Sequence, residues 1–475
     1  MKKLYILVAL LPAFGYAQSV KLIKDIRPNN NSNPSNTFVF NNKIIFNAND
    51  GTNGSELWES NGTEAGTKLV ADIQTGGTTS SGNPQNMIEY KGKLYFQANN
   101  GNANNGSELF VYDGSSVSLF ADIKPGTSSS VPQNFAVAGN TLFFRAQDLN
   151  STNGRLYRTD GENAPVIVDN SIFVGLSTAA LGNQVIFPAG EVNNIYQLYI
   201  TDGLTTSLLK TINSTAAANP TNLITVGNKV YFSAIDNEST RQLWVTDGTA
   251  NGTVKIKTIN PSANSNPTNF TEYKGKVYFT ADDGINGTEV WVTDGTDSGT
   301  TLLKDINPDG NAGPANFYVF KDILYFSAND GTNGIELWQT DGTAANTKMT
   351  LDIFPGVTGS SVSDLVTYND ELYFAASANT TYGKELYKLI LPTTLGTLAT
   401  SAKSSLKIYP NPSNGNIKIA SAKDVDYQLY SADGKLLESG KTKSGSAQLK
   451  AATGNYILKT VSDNKTESTK IIIRK

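Results

Sequence analysis

Carboxylates in short glycine-rich loops are the residues of this chain best suited to hold a metal ion. Asp50 opens the loop DGTNG, Asp330 opens an identical loop, and Asp282 and Asp283 open the related DDGING. Calcium prefers oxygen ligands of this kind. The spacing does not follow an EF-hand, however, and Asn, Asp and Gly are ordinary loop residues. We therefore predict no cofactor, and keep these four residues as candidate ligands should calcium bind.

A second candidate site is a group of charged side chains around one loop. Residues 18–402 contain only five arginines, and three of them lie between positions 145 and 158. Arg145, Asp148 and Arg155 flank a loop in a part of the chain where the internal repeat described below is least regular. Sequence drift is the simpler explanation for the irregularity. The alternative, which we keep as a prediction, is that these three residues contribute to a ligand-binding site.

Several kinds of catalysis are excluded or disfavoured by composition. The chain has no His and no Cys, which removes disulfides, the usual zinc sites and nucleophiles that depend on either residue. A glycosidase needs one pair of carboxylates. Five glutamates instead recur at equivalent repeat positions, namely Glu56, Glu108, Glu289, Glu336 and Glu385. Repetition favours a structural role, so we predict no catalytic residue.

The tripeptide Thr-Asp-Gly also recurs, and it is typical of a tight turn. Glycine accepts the positive φ that hairpin turns require, and the Asp side chain can accept hydrogen bonds from nearby backbone N–H groups. A catalytic aspartate would be expected once rather than in every repeat. We predict structural turns at Asp160, Asp202, Asp247, Asp294 and Asp341.

These motifs belong to a repeat of four short strand-like segments. One segment ends in a phenylalanine that recurs every 43 to 50 residues, at Phe46, Phe96, Phe144, Phe187, Phe232, Phe279, Phe326 and Phe374. The next segment is ELW or a variant of it, and no helical period occurs between segments. Four strands in about 40–50 residues are typical of a β-propeller blade.

The two ends of the repeat array differ in an informative way. Residues 20–26 (VKLIKDI) read as a fourth strand with no unit before it, and the last unit, which ends at Ile390, has no fourth strand after it. We predict an all-β fold in which residues 18–390 form an eight-bladed β-propeller, closed when the N-terminal strand completes the last blade. Any pocket is expected on the face that carries the second-to-third-strand loops and the long crossings between blades.

The remaining segments concern export and charge. Residues 1–17 have two lysines, an apolar core and small residues before the end, as in a secretory signal peptide. Residues 391–405 read as a linker and residues 406–475 as a small β-sandwich, and residues 403–475 contain 13 Lys/Arg against 6 Asp/Glu. Residues 18–402 carry a net charge of −13, which makes nucleic acid an unlikely partner. No segment of the mature chain is predicted to span a membrane.

Two resemblances cover most of the chain. The repeats at residues 56–67, 289–300 and 336–347 (ELWQTDGTAANT) resemble the ELWxxDGT repeat family of Bacteroidetes surface proteins. The tail resembles the type A C-terminal sorting domain of type IX secretion. That second resemblance rests on Tyr409, Pro410, Asn411, Pro412, Gly415, Asp433, Gly434, Gly454 and Tyr456.

The resemblances imply an exported protein whose tail is recognised by the outer-membrane translocon. We therefore expect a secreted or surface-attached β-propeller that binds a glycan, a protein or another surface ligand. An extracellular polysaccharide-acting enzyme, either a glycosidase or a lyase, is the alternative. A surface adhesion component without a small ligand is the third hypothesis.

Overall fold

The structure is a computed structural model, and it describes residues 18–77, 80–101, 106–126, 128–148, 153–391, 407–409, 416–420, 424–431, 435–444, 446–462 and 465–473. Within these residues the regular secondary structure consists of β-strands, without a helix. The predicted all-β class is therefore confirmed. The proposed signal peptide and residues 392–405 of the proposed linker lie outside the described residues.

The strands of residues 18–390 form eight successive antiparallel sheets, numbered here in chain order. The first strand of the chain, β1 (Ser19–Lys24), precedes them. Sheet 1 contains β2 (Ser35–Phe40), β3 (Lys43–Asn49), β4 (Ser55–Ser60) and β5 (Lys68–Ala71); sheet 2 contains β6 (Gln85–Tyr90), β7 (Lys93–Asn99), β8 (Ser107–Tyr112) and β9 (Val117–Ala121); sheet 3 contains β10 (Gln133–Ala138), β11 (Thr141–Gln147), β12 (Gly154–Thr159) and β13 (Val166–Ile167); sheet 4 contains β14 (Phe173–Val174), β15 (Ala179–Leu181), β16 (Gln184–Gly190), β17 (Gln197–Thr201) and β18 (Thr206–Lys210).

The second half of the array repeats the arrangement. Sheet 5 contains β19 (Thr221–Val226), β20 (Lys229–Ile235), β21 (Arg241–Thr246) and β22 (Val254–Lys257); sheet 6 contains β23 (Thr268–Tyr273), β24 (Lys276–Asp282), β25 (Thr288–Thr293) and β26 (Thr301–Lys304); sheet 7 contains β27 (Ala315–Phe320), β28 (Ile323–Asn329), β29 (Ile335–Thr340) and β30 (Lys348–Leu351); sheet 8 contains β31 (Ser363–Tyr368), β32 (Glu371–Ser377) and β33 (Lys384–Ile390). Strands within each sheet pair in chain order, except that both β14 and β15 pair with β16.

The fourth strand of sheet 8 comes from the other end of the array. Strand β1 pairs antiparallel with β33, with Ser19 opposite Ile390 and Leu22 opposite Tyr387. The first strands of neighbouring sheets also contact one another, from β2 to β6, β10, β15, β19, β23, β27 and β31, and β31 contacts β2. Sheets 8 and 1 are therefore neighbours in space, although they lie at opposite ends of the array.

The repeated phenylalanines form the centre of the core. All eight are fully buried, and their strands are buried on both faces because a sheet packs against each side. Phe326 stacks on its cross-strand partner Trp338 with ring centroids 6.5 Å apart. Trp338 also belongs to a cluster with Ile306, so it packs between sheets 6 and 7. Aromatic pairs of this kind add stability beyond the apolar area that they bury.

Two-residue turns join the first and second strands of seven sheets, and in sheet 4 such a turn joins β15 and β16. In sheet 1 the turn residues Asn41 and Asn42 have φ values of 47° and 56°, and in sheet 2 Lys91 and Gly92 have 50° and 72°. Positive φ at both central residues defines a type I′ turn, whose twist matches that of the flanking strands.

The tail forms a separate unit, within Leu391–Lys475. One sheet has the order β34 (Lys407–Tyr409), β35 (Asn416–Ala420), β38 (Ser446–Lys450); the other has the order β37 (Leu436–Lys441), β36 (Asp426–Ser431), β39 (Gly454–Ser462), β40 (Lys465–Ile473). Both sheets contribute to one apolar cluster, which includes Ile417, Leu449 and Leu458. None of the described residues of the chain lies in a helix long and apolar enough to cross a membrane.

Candidate ligand-binding site

A side chain near the start of one strand in each sheet holds the crossing to the next sheet. It is the first residue of β17 and the second residue of β4, β8, β12, β21, β25, β29 and β33. In sheet 6 this residue is Glu289, whose carboxylate accepts hydrogen bonds from the backbone N–H groups of Ile306, Asn307 and Ala312 at 2.9, 3.3 and 3.1 Å. Backbone N–H groups in such a crossing would otherwise lack partners. Glu56, Glu108, Glu336 and Glu385 bind their own crossings in the same way.

These five carboxylates are fully buried, and that burial changes their acidity. Desolvation raises the pKa of Glu56, Glu289 and Glu385 to about 7, and it also raises the pKa of Glu108 and Glu336. The hydrogen bonds from the crossings act in the opposite direction but do not outweigh burial. The recurring glutamates thus occupy a position that ties one sheet to the next.

Sheets 3, 4 and 5 carry no glutamate at this position. Sheet 4 has Gln197, whose Oε1 accepts from the N–H groups of Ile212 and Asn213, and sheet 5 has Gln242, which binds its crossing similarly. Sheet 3 has Arg155, which donates to Ile172 O. A buried carboxylate has therefore been replaced by a neutral amide or a cation in three successive sheets.

A cavity of about 290 Å³ lies at these same three sheets. Its walls come from β11, from the second-to-third-strand loops of sheets 3 and 4, and from the crossings that lead into sheets 4 and 5. The lining residues are Arg145, Asn153, Val174, Gly175, Leu176, Asn193, Asn194, Tyr196, Asn219, Pro220 and Thr221. The cavity thus lies among the loops where the sequence predicted a pocket.

Arg145 supplies the positive charge of the cavity wall. Its Nε donates to Val174 O at 3.1 Å, which directs the guanidinium from sheet 3 towards sheet 4. Gly154 makes room for it, because a Cβ atom at that position would lie 2.1 Å from Nε. Burial lowers the pKa of Arg145, although an arginine remains protonated at neutral pH.

A second half-buried guanidinium supports the opposite wall. Arg241 Nη1 donates to Asn219 O at 2.9 Å and to Thr221 Oγ1 at 3.0 Å, and both acceptors belong to residues that line the cavity. Burial lowers the pKa of Arg241 as well. Among the described residues, no carboxylate lies within 4.0 Å of either guanidinium group. Two half-buried positive charges, Arg145 in the cavity lining and Arg241 behind the wall, therefore have no carboxylate partner among the described residues.

The polar groups between these arginines are connected to one another. Tyr196 donates its hydroxyl to Asn193 Oδ1 at 2.6 Å, and Asn193 Nδ2 donates to Asn153 Oδ1 at 2.6 Å. The backbone N–H of Tyr196 donates to Asn219 Oδ1 at 3.3 Å. These bonds hold the amide side chains in place along the cavity wall.

The other two predicted members of the charged group are used differently. Arg155 Nε donates to Asp148 Oδ2 at 3.2 Å, and the Arg155 guanidinium lies 4.1 Å from the centre of the Phe173 ring. Neither Arg155 nor Asp148 is among the residues that line the cavity. The structure therefore places Arg145 at the cavity and pairs the remaining two with each other nearby.

The candidate calcium ligands bind their own loops. Asp50 Oδ1 accepts from the N–H groups of Thr52 and Asn53, while Oδ2 accepts from Asn53 Nδ2 at 2.7 Å. Asp330 and Asp283 have equivalent partners, and Asp282 Oδ1 accepts from the N–H of Gly284. Among the described residues, no group of three or more acidic side chains could hold a metal ion.

The predicted turn aspartates accept hydrogen bonds within their turns. Asp341 Oδ1 accepts from the backbone N–H and the hydroxyl of Thr343, and Oδ2 accepts from Asn346 Nδ2. Bonds from Thr343 and Asn346 lower the pKa of Asp341. Asp160, Asp202, Asp247 and Asp294 make corresponding bonds to residues two or three positions further on.

The predicted sorting residues are only partly described. Tyr409 ends β34 and Gly454 begins β39, and the Tyr456 hydroxyl donates to Ala452 O at 2.9 Å. Pro410, Asn411, Pro412, Gly415, Asp433 and Gly434 lie outside the described residues.

Comparison with known proteins defines the class of the tail. Residues 407–474 match the family described as "Secretion system C-terminal sorting domain". This match indicates export by the type IX secretion system to the cell surface or the extracellular space, as the resemblance implied. The match covers the tail and not the eight sheets. No curated protein matches the chain.

Several solved structures resemble the chain distantly. A puromycin hydrolase is 11% identical, with 72% of this chain and 58% of that chain covered and a TM-score of 0.43. A prolyl endopeptidase is 13% identical, with 72% and 52% covered and a TM-score of 0.43. The β-propeller domain of the Trilobed protease from Pyrococcus furiosus is 13% identical, with 67% and 97% covered and a TM-score of 0.39. The chain thus spans a little over half of the two peptidases.

Proposed function

We propose that this protein is an exported binding module whose cavity at Arg145 receives an anionic group of its ligand. The observation that carries the proposal is the half-buried guanidinium of Arg145, which lines the cavity without a carboxylate partner among the described residues. The half-buried Arg241 adds a second positive charge behind the wall. A buried charge costs several kcal/mol unless it is paired. A carboxylate on the ligand would supply the missing charge and fit the planar donor group of arginine.

The replacement of glutamate in sheets 3 to 5 supports the same proposal. A carboxylate at the position of Arg155, Gln197 or Gln242 would bring negative charge close to the cavity and oppose an anionic ligand. The other five sheets, which do not line the cavity, keep the glutamate. The sequence is thus less regular in those sheets whose loops build the site.

The cavity favours binding over the hydrolytic alternative. Its described lining offers a guanidinium, amides, a phenol and a hydroxyl, but no Asp or Glu that could act as acid or nucleophile. A glycosidase needs two such groups. The adhesion hypothesis remains compatible with this site, because an adhesion partner can present the same anionic group.

The binding module is, in this proposal, an eight-bladed β-propeller of ELWxxDGT-type repeats closed by β1. The eight successive sheets, the pairing of β1 with β33 and the contact of β31 with β2 support closure. Glu385 adds a further link, since it accepts from the N–H groups of Ile26 and Ser32 at the start of the array. Residues 1–17 act as the signal peptide and residues 391–405 as the linker. In this proposal, residues 18–390 present their loops to the ligand after export.

Binding measurements on a panel of carboxylate-bearing peptides and oligosaccharides, each with a neutral counterpart, test the function. We expect the full chain to prefer the acidic member of at least one pair, and Arg145→Gln to reduce that affinity by about tenfold or more. Arg158→Gln is the control, since Arg158 lies in the same sheet but outside the cavity lining. Equal affinity of wild type for acidic and neutral members throughout would contradict the proposal.

A further inference from the structure

Aliphatic side chains surround the charged cavity and remain open to solvent. Leu176 lines the cavity and is 59% exposed. Val192 and Ile195 flank the lining residues Asn193 and Asn194 and are 58% and 50% exposed. The N–H of Ile195 donates to Val192 O at 3.2 Å, so these two residues share one turn at the rim. Single exposed apolar residues are ordinary, but three at the rim of one cavity are more than scattered exposure.

The chemistry of this rim distinguishes between ligand classes. The apolar C–H face of a sugar ring packs well against the π-face of an open aromatic ring. The exposed apolar residues at this rim are aliphatic, and Tyr196, the aromatic ring of the lining, uses its hydroxyl to bind Asn193. An aliphatic rim instead matches an aliphatic side chain, whose burial is favourable in proportion to its area.

The amides between the rim and Arg145 fit the backbone of such a ligand. Asn153, Asn193, Asn194 and Asn219 line the cavity, and an amide side chain offers both donors and acceptors, as a peptide backbone requires. The arrangement therefore places an aliphatic surface, a row of amides and a half-buried guanidinium next to one another in one site.

We infer that the ligand is a peptide segment in which a carboxylate lies close to an aliphatic residue. The carboxylate binds Arg145, the aliphatic side chain packs on Leu176, Val192 and Ile195, and the intervening backbone faces the amides. An acidic side chain and a free C-terminus supply the same chemistry. This inference rests on the proposed anion-binding function and adds the class of ligand.

A position-scanning tetrapeptide library, prepared once with free and once with amidated C-termini, tests the inference on the full chain. We expect enrichment of peptides that combine Leu, Ile, Val or Met with Asp or Glu, or with the free C-terminus. Enrichment that survives amidation identifies an acidic side chain as the source, and enrichment that needs the free C-terminus identifies the terminal carboxylate. Oligogalacturonate is the parallel non-peptide probe.

Two variants separate the parts of the site. Arg145→Gln should abolish the preference for the carboxylate and keep the aliphatic preference, whereas Leu176→Ser should lower affinity for the aliphatic peptides several-fold and keep the carboxylate preference. Arg145→Lys tests the planar donor geometry in case removal of the charge disturbs folding, and it should weaken binding as well. Leu176 is exposed, so its variant should fold normally.

The outcomes also separate this inference from the proposed function. Arg145-dependent binding of oligogalacturonate without enrichment of any acidic aliphatic peptide would overturn the peptide inference and leave the anion-binding function in place. If neither the library nor oligogalacturonate shows an acid preference, both fail. Acidic peptide enrichment that Leu176→Ser leaves unchanged would refute the aliphatic contact.

Discussion

Replacement of Glu289 by Gln should stabilise the protein in mildly alkaline solution. The Glu289 side chain is fully buried, and burial raises its pKa from the ordinary value of 4.5 to about 7. The ionised form is therefore less favourable in the folded protein than in the unfolded chain. Sheets 4 and 5 already use glutamine at this position, and Gln242 binds its crossing through both its oxygen and its nitrogen. A glutamine at position 289 can accept from a crossing N–H group through its oxygen, as Gln242 does, and its nitrogen requires carbonyl acceptors like those that Gln242 uses.

The sign and size of the effect follow from proton linkage. Between pH 4.5 and about 7 the folded protein holds a proton on Glu289 that the unfolded chain has lost, so stability falls as pH rises through this range. A rise of about 2.5 pKa units at 1.36 kcal/mol per unit corresponds to roughly 3 kcal/mol. The stability advantage of Glu289→Gln over wild type should grow from near zero at pH 4.5 towards this upper limit at pH 8.

Urea unfolding of the full chain at pH 5 and pH 8 measures this difference. Glu64→Gln is the matched control, because Glu64 is exposed and should change stability little at either pH. A Glu289→Gln variant that is less stable than wild type at pH 8 would refute the reasoning. That result would mean that the three N–H groups of the crossing stabilise the ionised carboxylate by more than burial destabilises it.

Four further predictions concern other parts of the chain. Gly82→Ala should lower the free energy of unfolding by about 2 kcal/mol or more, because the new Cβ would lie 2.6 Å from Glu56 Oε2. Gly92→Ala has open space around its Cβ and should lower it by about 1 kcal/mol, because the residue has a positive φ. Equal losses of the two variants in urea unfolding would contradict this. Ile23→Asp in β1 should lower the unfolding free energy by about 3 kcal/mol or more, because Ile23 is buried between sheets 8 and 1; an unchanged urea midpoint would show that β1 does not contribute. Excess calcium and a chelator should give the same melting temperature, because Asp50 and Asp330 already bind their own loops; a rise with calcium would restore the metal hypothesis. Deletion of residues 407–474 should stop export while the chain accumulates inside the cell, and normal secretion measured by immunoblot of the medium would contradict it.

The strand order was open to prediction because each strand carries its own local pattern. The eight buried phenylalanines and the turn at Lys91 and Gly92 depend on neighbours a few residues away, so the sequence contains the information directly. The displaced fourth strand, β1, was recognisable for the same reason, since it resembles β26 and has no unit before it.

The binding site was harder to predict from the sequence, because its residues come together only through the packing of three sheets. Arg145 was a candidate, but Arg241, Tyr196, Asn193 and Asn219 were not, since they lie 48 or more positions from Arg145 along the chain. The partners of the repeated glutamates were also unpredictable, as Glu385 binds Ser32 across 353 residues. One signal was present in the sequence: the replacement of Glu by Arg155, Gln197 and Gln242 in successive repeats marks the sheets that form the cavity.

The pairing of β1 with β33 has a consequence for the order in which the chain is made. Strand β1 is synthesised before the other strands of the array. Its backbone N–H and C=O groups have no partner strand until β33, the last strand of the array, has been made. The sorting domain at residues 407–474 comes after β33 in the sequence. A nascent chain that is interrupted before β33 therefore lacks the sorting domain as well as the last strand of the array. Because the sorting domain is translated after β33, every chain that carries it already possesses both strands of the pair.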